Sequence, residues 1–363
     1  MSDYSSLIFY VIAFILSASI VGYGIKRGYK VAIALGLALP IAISSLRFGV
    51  GTDYTSYVQT FKVINGLGLS EFLRNFGDKY EIGIYALARI ASLFPYELNI
   101  FFGLFSFGTL VFLYLGLKRY KLPYIWLVIL LYLFVLFPTS LNLVRQMLAA
   151  SIFFYATSLI HQKKLWKYVL LVAFAGLFHK SALLLLPVYF LGKAFSPMKI
   201  LRSRSMVVIG IVLSLLIVAG PPIVTSLLNI SVFEKYDKYQ TISQPSAGIV
   251  LTAKLATLGI ITIFLRRIRQ YPYFAFFYIM TTIEVLVLIL GLSSIDLSRF
   301  SIYFSIFPLI LLTYIARTFD KRSRFIIFTI IILYSMLFFW ASYLLKGGSE
   351  IFPYQFLINR ESI

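Results

Sequence analysis

The chain has 363 residues, 60% hydrophobic and only 13% charged, with a formal net charge of +20 and no cysteine. The missing cysteine excludes disulfides, thiolate metal sites and cysteine nucleophiles. Apolar runs of about 20 residues, each long enough to cross a hydrocarbon core, predict an all-α polytopic membrane protein, with its basic clusters as cytoplasmic loops rather than a nucleic-acid surface.

Taken in order, the first span runs from about Tyr4 to Gly24 and ends at Lys26-Arg27-Gly28-Tyr29-Lys30. That cluster places the loop in the cytoplasm and the N-terminus outside. The run after Met1-Ser2-Asp3 lacks a basic n-region and a small-residue cleavage site, so it reads as a retained span. A second, short span, about Val31 to Leu46, leads to the longest polar stretch, an outer loop from Arg47 to Tyr80. Residues 81 to about 94 have an amphipathic pattern too short to cross, so an interfacial or re-entrant helix is expected.

The third span covers Leu98 to Leu117, the fourth Leu122 to Phe137, and the fifth Leu141 to Ile160, with an outer turn at Pro138-Thr139-Ser140. From Tyr168 to Phe195 the pattern is broken by Phe178-His179-Lys180-Ser181. Two short helices meeting at a polar turn would leave His179 recessed below the outer surface. A basic stretch, Lys199 to Arg204, precedes an eighth span, Met206 to Leu227, and an outer loop around Glu234 to Lys238. Four further spans follow, at Ile249 to Leu265, Tyr273 to Leu292, Phe300 to Ala316 and Phe325 to Leu345. The expectation is one membrane domain over 1–363, with about 12 spans plus the interfacial helix and both termini outside.

The charges test this threading. Twenty of the 33 basic residues fall in the predicted cytoplasmic loops, whereas only Asp320 of the 13 acids does. No extramembrane segment is long enough for a nucleotide-binding βαβ domain, and neither a P-loop nor a strand-borne GxGxxG is present. Two histidines without cysteine or an acidic pair at ligand spacing argue against a transition-metal site, and no cofactor is expected.

The threading gathers polar residues at the outer face from seven regions: Arg47, Asp53, Tyr54, Tyr57, Glu81, Arg145, Gln146, His179, Lys180, Asp296, Arg299, Tyr303 and Tyr354. Arginine presents a planar fork of donors suited to phosphate oxygens, and several converging on one point suit a pyrophosphate. A carboxylate such as Asp53 or Glu81 beside them can take a proton from a sugar hydroxyl attacking an anomeric carbon. Plainer roles stand beside these. Arg47 can snorkel or pair with Asp53, Glu81 can cap the amphipathic helix, His179 can be packed at a helix break, and Arg299 can anchor Asp296. Tyr54, Tyr57 and Tyr354 can stack on sugar rings or simply fill the core. Glu284, within the tenth span, is expected to be a neutral carboxyl bonded to a neighbour, with a proton relay as the alternative.

An ordered set of motifs runs through nearly the whole chain: Arg47-x-Gly49-x-Gly51-Thr52-Asp53-Tyr54-x-x-Tyr57-x-x-x-Phe61, Glu81-x-Gly83, Asn142-x-x-Arg145-Gln146-x-x-Ala149, Phe178-His179-Lys180-Ser181-Ala182, Arg299-x-x-x-Tyr303 and Pro353-Tyr354. The set resembles the EpsG-type branch of the Wzy polysaccharide polymerases. The resemblance implies a GT-C-like glycosyltransferase in the bacterial cytoplasmic membrane, with its active site facing outside. It would move a growing glycan of the O-antigen, capsule or exopolysaccharide kind from undecaprenyl pyrophosphate onto another lipid-linked repeat unit. By that similarity Arg47, Arg145 and Arg299 attend the pyrophosphates, Asp53 or Glu81 is the base, and His179 is held in reserve. The remaining polar residues, Tyr54, Tyr57, Gln146, Lys180, Tyr303 and Tyr354, join the substrate-binding set. Partners would be lipid-linked donor and acceptor and the bilayer; whether a chain-length regulator also binds stays open. A flippase or transporter of lipid-linked oligosaccharide, with Glu284 as coupling site, is the alternative from another class. An O-antigen ligase-like transferase differs only in acceptor.

Overall fold

The computed structural model describes residues 1–194, 247–293 and 295–356. The expected stretch Lys199 to Arg204, the span Met206 to Leu227 and the outer loop at Glu234 to Lys238 lie outside the described residues. Among the described residues every regular element is helical, and a single isolated antiparallel bridge joins Arg47 to Phe356. Among the described residues four helices are long and apolar enough to cross a membrane: Asp3–Arg27, Glu97–Arg119, Leu297–Arg317 and Lys321–Leu345. Seven shorter apolar helices of 10–17 residues accompany them.

The chain divides into two compact units, Met1–Leu186 with Ile332–Ile363, and Pro187–Ile331. In the first, α1 (Asp3–Arg27) starts at Ser2, whose hydroxyl accepts from the Ser5 amide, and ends at Gly28 in the left-handed region. Asp3 in the first turn and Lys26 and Arg27 in the last complement the helix dipole. Tyr10, Phe14 and Val21 face inward, while Ile8, Ile12 and Leu16 are exposed. Such an apolar outer stripe is what a hydrocarbon environment tolerates and water does not. Helices α2 (Lys30–Ser45), α3 (Tyr54–Asn65), α4 (Leu69–Phe76), α5 (Ile82–Ala91) and α6 (Glu97–Arg119) follow. The short α7 (Ile125–Val135) is buried on every side, as a helix without a polar face should be. After it come α8 (Phe137–Asn142), α9 (Val144–Thr157), α10 (Leu165–Gly176) and a 3₁₀ turn, Lys180–Leu185.

Two stretches differ from expectation. The segment 47–80, expected as a polar loop, holds α3 and α4. Phe72 on α4 is fully buried and stacks on Tyr85 of α5 with ring centres 4.7 Å apart, which ties this short amphipathic helix to α5. The turn expected at Pro138-Thr139-Ser140 is instead part of α8, with Phe137 and Pro138 buried. Proline is tolerated there because it sits in the first turn, where its missing amide has no acceptor to serve.

The second unit contains α11 (Val188–Ala194), α12 (Ala247–Ile263), α13 (Leu265–Ile268), α14 (Phe274–Leu290), α15 (Ile295–Phe300), a 3₁₀ turn (Ser301–Phe304) and α16 (Ile306–Arg317). Helix α17 (Lys321–Phe339) leads from it back to the first unit. Glu284 on α14 is fully buried; one carboxylate oxygen lies 2.5 Å from the Lys254 ammonium and accepts the Ser305 hydroxyl at 2.6 Å. Lys254 and Ser305 are thus the neighbours to which the buried Glu284 carboxyl is bonded.

Candidate functional site

In the first unit, three interruptions of helical geometry bring charged side chains to one point. The first is the loop 46–53, where Gly49 and Gly51 have φ of 62° and 108°. A Cβ on Gly51 would stand 2.5 Å from Asn142 Oδ1, so only glycine lets the loop approach α8. The second is Leu143, whose ψ of 50° separates α8 from α9 and starts α9 one residue before Arg145. The third is His179, extended at φ −154° and ψ 112° between α10 and the 3₁₀ turn.

Glu81 is the centre of the cluster. It occupies the N-cap position of α5, yet its carboxylate does not cap that helix, so the capping role weighed for it does not hold. One oxygen accepts from Arg145 Nη1; the other accepts the Lys180 backbone N–H at 3.1 Å and lies 3.6 Å from His179 Nδ1. Gly83 explains the placement: its amide donates to the Leu177 carbonyl at 2.8 Å, and any Cβ there would meet that oxygen and the Phe178 ring. The Glu81-x-Gly83 spacing thus presses the start of α5 against the break at His179.

Arg145 lies between two phenol rings, its guanidinium carbon 5.9 Å from the Tyr57 centroid and 6.0 Å from that of Tyr80. Its side chain keeps 22% of its accessible surface and His179 keeps 29%, whereas Glu81 keeps 9%. The buried carboxylate therefore orients two cationic or titratable groups that remain reachable. Burial pushes the Tyr57 phenol above its ordinary value, opposed by Arg145. Lys180 reaches across to the carbonyls of Gly77 at 3.4 Å and Asp78 at 3.2 Å, bracing the turn before Tyr80.

Asp53, at the N-cap of α3, is half-buried and acts electrostatically on Tyr57. Its backbone amide approaches Asn142 Oδ1 at 3.5 Å, while among the described residues its carboxylate takes no hydrogen bond or ion pair. Arg47 is neither snorkelling nor paired with Asp53. It is fully buried, donates to the carbonyls of Leu141 and Val50, and lies 4.4 Å from the Phe102 ring centroid. Burial pushes its guanidinium down to about 10. Nε and Nη2 of Arg47 have no hydrogen-bond partner among the described residues.

The C-terminal segment closes over this loop. Phe48 N–H donates to Gln355 O at 2.9 Å, Gly51 N–H to Glu350 O at 3.0 Å, and Asn142 Nδ2 to Ser349 O at 2.9 Å. Tyr354 is fully buried, with its hydroxyl donating to Ile43 O at 2.8 Å, and Tyr54 stacks on Phe102 at 5.2 Å. Their rings are occupied by protein neighbours, so the sugar-stacking expectation gives way to packing. Gln146 is buried on α9. Arg299 and Tyr303 belong to the second unit, on α15 and the following 3₁₀ turn, with Tyr303 fully buried.

Three residues at the site were not singled out as site members from the sequence: Thr60, Tyr80 and Asn142. Tyr80 immediately precedes Glu81, and Asn142 stands at the head of the Arg145 motif, so adjacency was the available signal. Among the described residues no three His, Asp or Glu side chains group closely enough to hold a metal ion.

A family model described as the EpsG family matches residues 30–356. No curated protein and no solved structure matches the chain.

Proposed function

The chain belongs to the EpsG family, which carries a polysaccharide-polymerase role, and from that premise we propose that it lengthens glycans by glycosyl transfer between lipid-linked repeat units at the extracytoplasmic face. The donor would be a glycan on undecaprenyl pyrophosphate, and the acceptor a sugar hydroxyl of a second lipid-linked unit. A donor of this kind carries its own activated leaving group and needs no nucleotide site.

The observation that carries the reading is the meeting of Glu81, Arg145 and His179 from three distant parts of the chain, with Arg145 and His179 still accessible. In the reaction, a base removes the acceptor hydroxyl proton as that oxygen attacks the anomeric carbon. The bond from that carbon to the pyrophosphate oxygen breaks, leaving undecaprenyl pyrophosphate. Arg145 offers the donor fork for the developing negative charge. Both Glu81 oxygens are already engaged, one by Arg145 and the other by the Lys180 backbone N–H. Asp53, whose carboxylate is uncommitted, is therefore the preferred base; Glu81 orients Arg145 and His179, and His179 binds the acceptor.

The test is to incubate purified protein in detergent with one synthetic undecaprenyl-pyrophosphate-linked repeat unit and size the product. A ladder from the native chain, lost in Asp53→Asn and kept in part in Glu81→Gln, supports these roles. Full activity in Asp53→Asn removes it as the base. The buried Lys254–Glu284 pair favours a second reading, a transporter of the same lipid-linked glycan. Polymer formed in detergent, where no gradient exists, separates the two.

A further inference from the structure

Resting on the reading of Arg145 as a leaving-group contact, we infer that Tyr80 is a second donor to the departing pyrophosphate. Tyr80 sits one residue before Glu81, with its ring against the Arg145 guanidinium at 6.0 Å and the Lys79 ammonium 5.1 Å from its centroid. Its hydroxyl accepts a hydrogen bond from Thr60 Oγ1 at 3.2 Å. Thr60 is buried on α3, so this contact fixes the phenol oxygen from the protein side. A phenol that accepts from one partner keeps its own proton to give to another. Among the described residues that proton goes to no acceptor.

The electrostatics suit an anionic acceptor. Although burial alone would raise it, the Tyr80 phenol lies below its ordinary value because Thr60, Lys79 and Arg145 favour the anion. A more acidic hydroxyl makes a stronger bond to an anionic oxygen. Glu81 already neutralises one edge of Arg145, so a pyrophosphate oxygen meeting its other edge would be shared with the Tyr80 hydroxyl. Tyr57 is less suited to this part, being buried and already hydrogen-bonded to Arg145. The ligand class is a lipid pyrophosphate monoester, the species in which the leaving group has acquired its full charge.

The experiment measures binding of undecaprenyl pyrophosphate and, separately, undecaprenyl phosphate to the purified full chain in detergent. The variants are Tyr80→Phe, which removes only the hydroxyl, and Thr60→Val, which removes only the contact that aims it. A lost hydrogen bond to a charged oxygen corresponds to about 10- to 100-fold weaker binding for Tyr80→Phe, and about 3- to 10-fold for Thr60→Val. Undecaprenyl phosphate, without the second phosphate, is expected to change less than threefold in either variant. Native affinity for undecaprenyl pyrophosphate in Tyr80→Phe, or an equal loss for both lipids, overturns the assignment. If Tyr80→Phe lowers the melting temperature, Thr60→Val decides alone, and native affinity in that variant overturns it. These outcomes are independent of the ladder assay, so a failed polymerase reading and a failed Tyr80 assignment give different results.

Discussion

Glu81 and Arg145, 64 residues apart in the chain, form a charge pair whose carboxylate is more deeply enclosed than its guanidinium. The enclosed partner depends on the pair more than the accessible one does. Removing Arg145 leaves a largely desolvated anion, whereas removing Glu81 leaves a cation that water still reaches.

That asymmetry predicts a specific double-mutant cycle. Arg145→Met should cost about 2–4 kcal/mol of stability, and Glu81→Gln about 1–2 kcal/mol, with coupling of about 1–2 kcal/mol after allowing for solvent at Arg145. Unfolding of the four variants in one detergent supplies the numbers. Strictly additive losses would mean that the two side chains do not stabilise each other.

Gly51 is where the first loop, α8 and the C-terminal segment converge. Gly51→Ala puts a Cβ against Asn142 Oδ1 at a φ of 108°, and a cost of about 2–4 kcal/mol is expected. Gly66→Ala serves as the control: its φ of −83° is ordinary and nothing lies within 4 Å of the added carbon. That variant should stay within about 0.5 kcal/mol of native. Melting temperatures of the pair, taken side by side, check both halves of the statement.

What the sequence made legible was polarity out of place. Arg145 and His179 interrupt apolar runs, and an ion or imidazole there demands a partner, so both stood out without coordinates. Glu81 stood out less for its actual role, because an acid before a short helix is ordinary, and its orientation depends on Gly83 meeting Leu177 far along the chain. The burial of Arg47 and Tyr354 was hidden for the same reason. Their partners lie far along the chain: Arg47 donates to Leu141 across 94 residues and Tyr354 to Ile43 across 311. Helix α4 had a signal that was read as loop: Leu69, Phe72, Leu73 and Phe76 recur at helical spacing, but the intervening Ser, Glu, Arg and Asn dominate so short a segment. Thr60 and Tyr80 carry no charge, and nothing in their spacing announces that they touch.

In the second unit, Lys254 and Glu284 should behave as a buried pair whose halves are worse apart than absent together. Glu284→Ala leaves a buried ammonium and should cost about 3–5 kcal/mol, while Lys254→Met with Glu284→Leu should recover most of that loss. Protein yield and melting temperature of the single and double variants measure it. A double variant no better than the single one would show that the pair holds α12 to α14 in a way that apolar contact cannot replace.

The most direct measurement of the central claim is the rate of polymer formation by Arg145→Lys, purified in detergent and given a lipid-linked repeat unit. Lysine keeps the charge facing Glu81 but loses the planar fork, so folding should be retained while the rate falls about 100-fold. A folded Arg145→Lys protein that builds chains at the native rate would contradict the assignment of glycosyl transfer to this cluster.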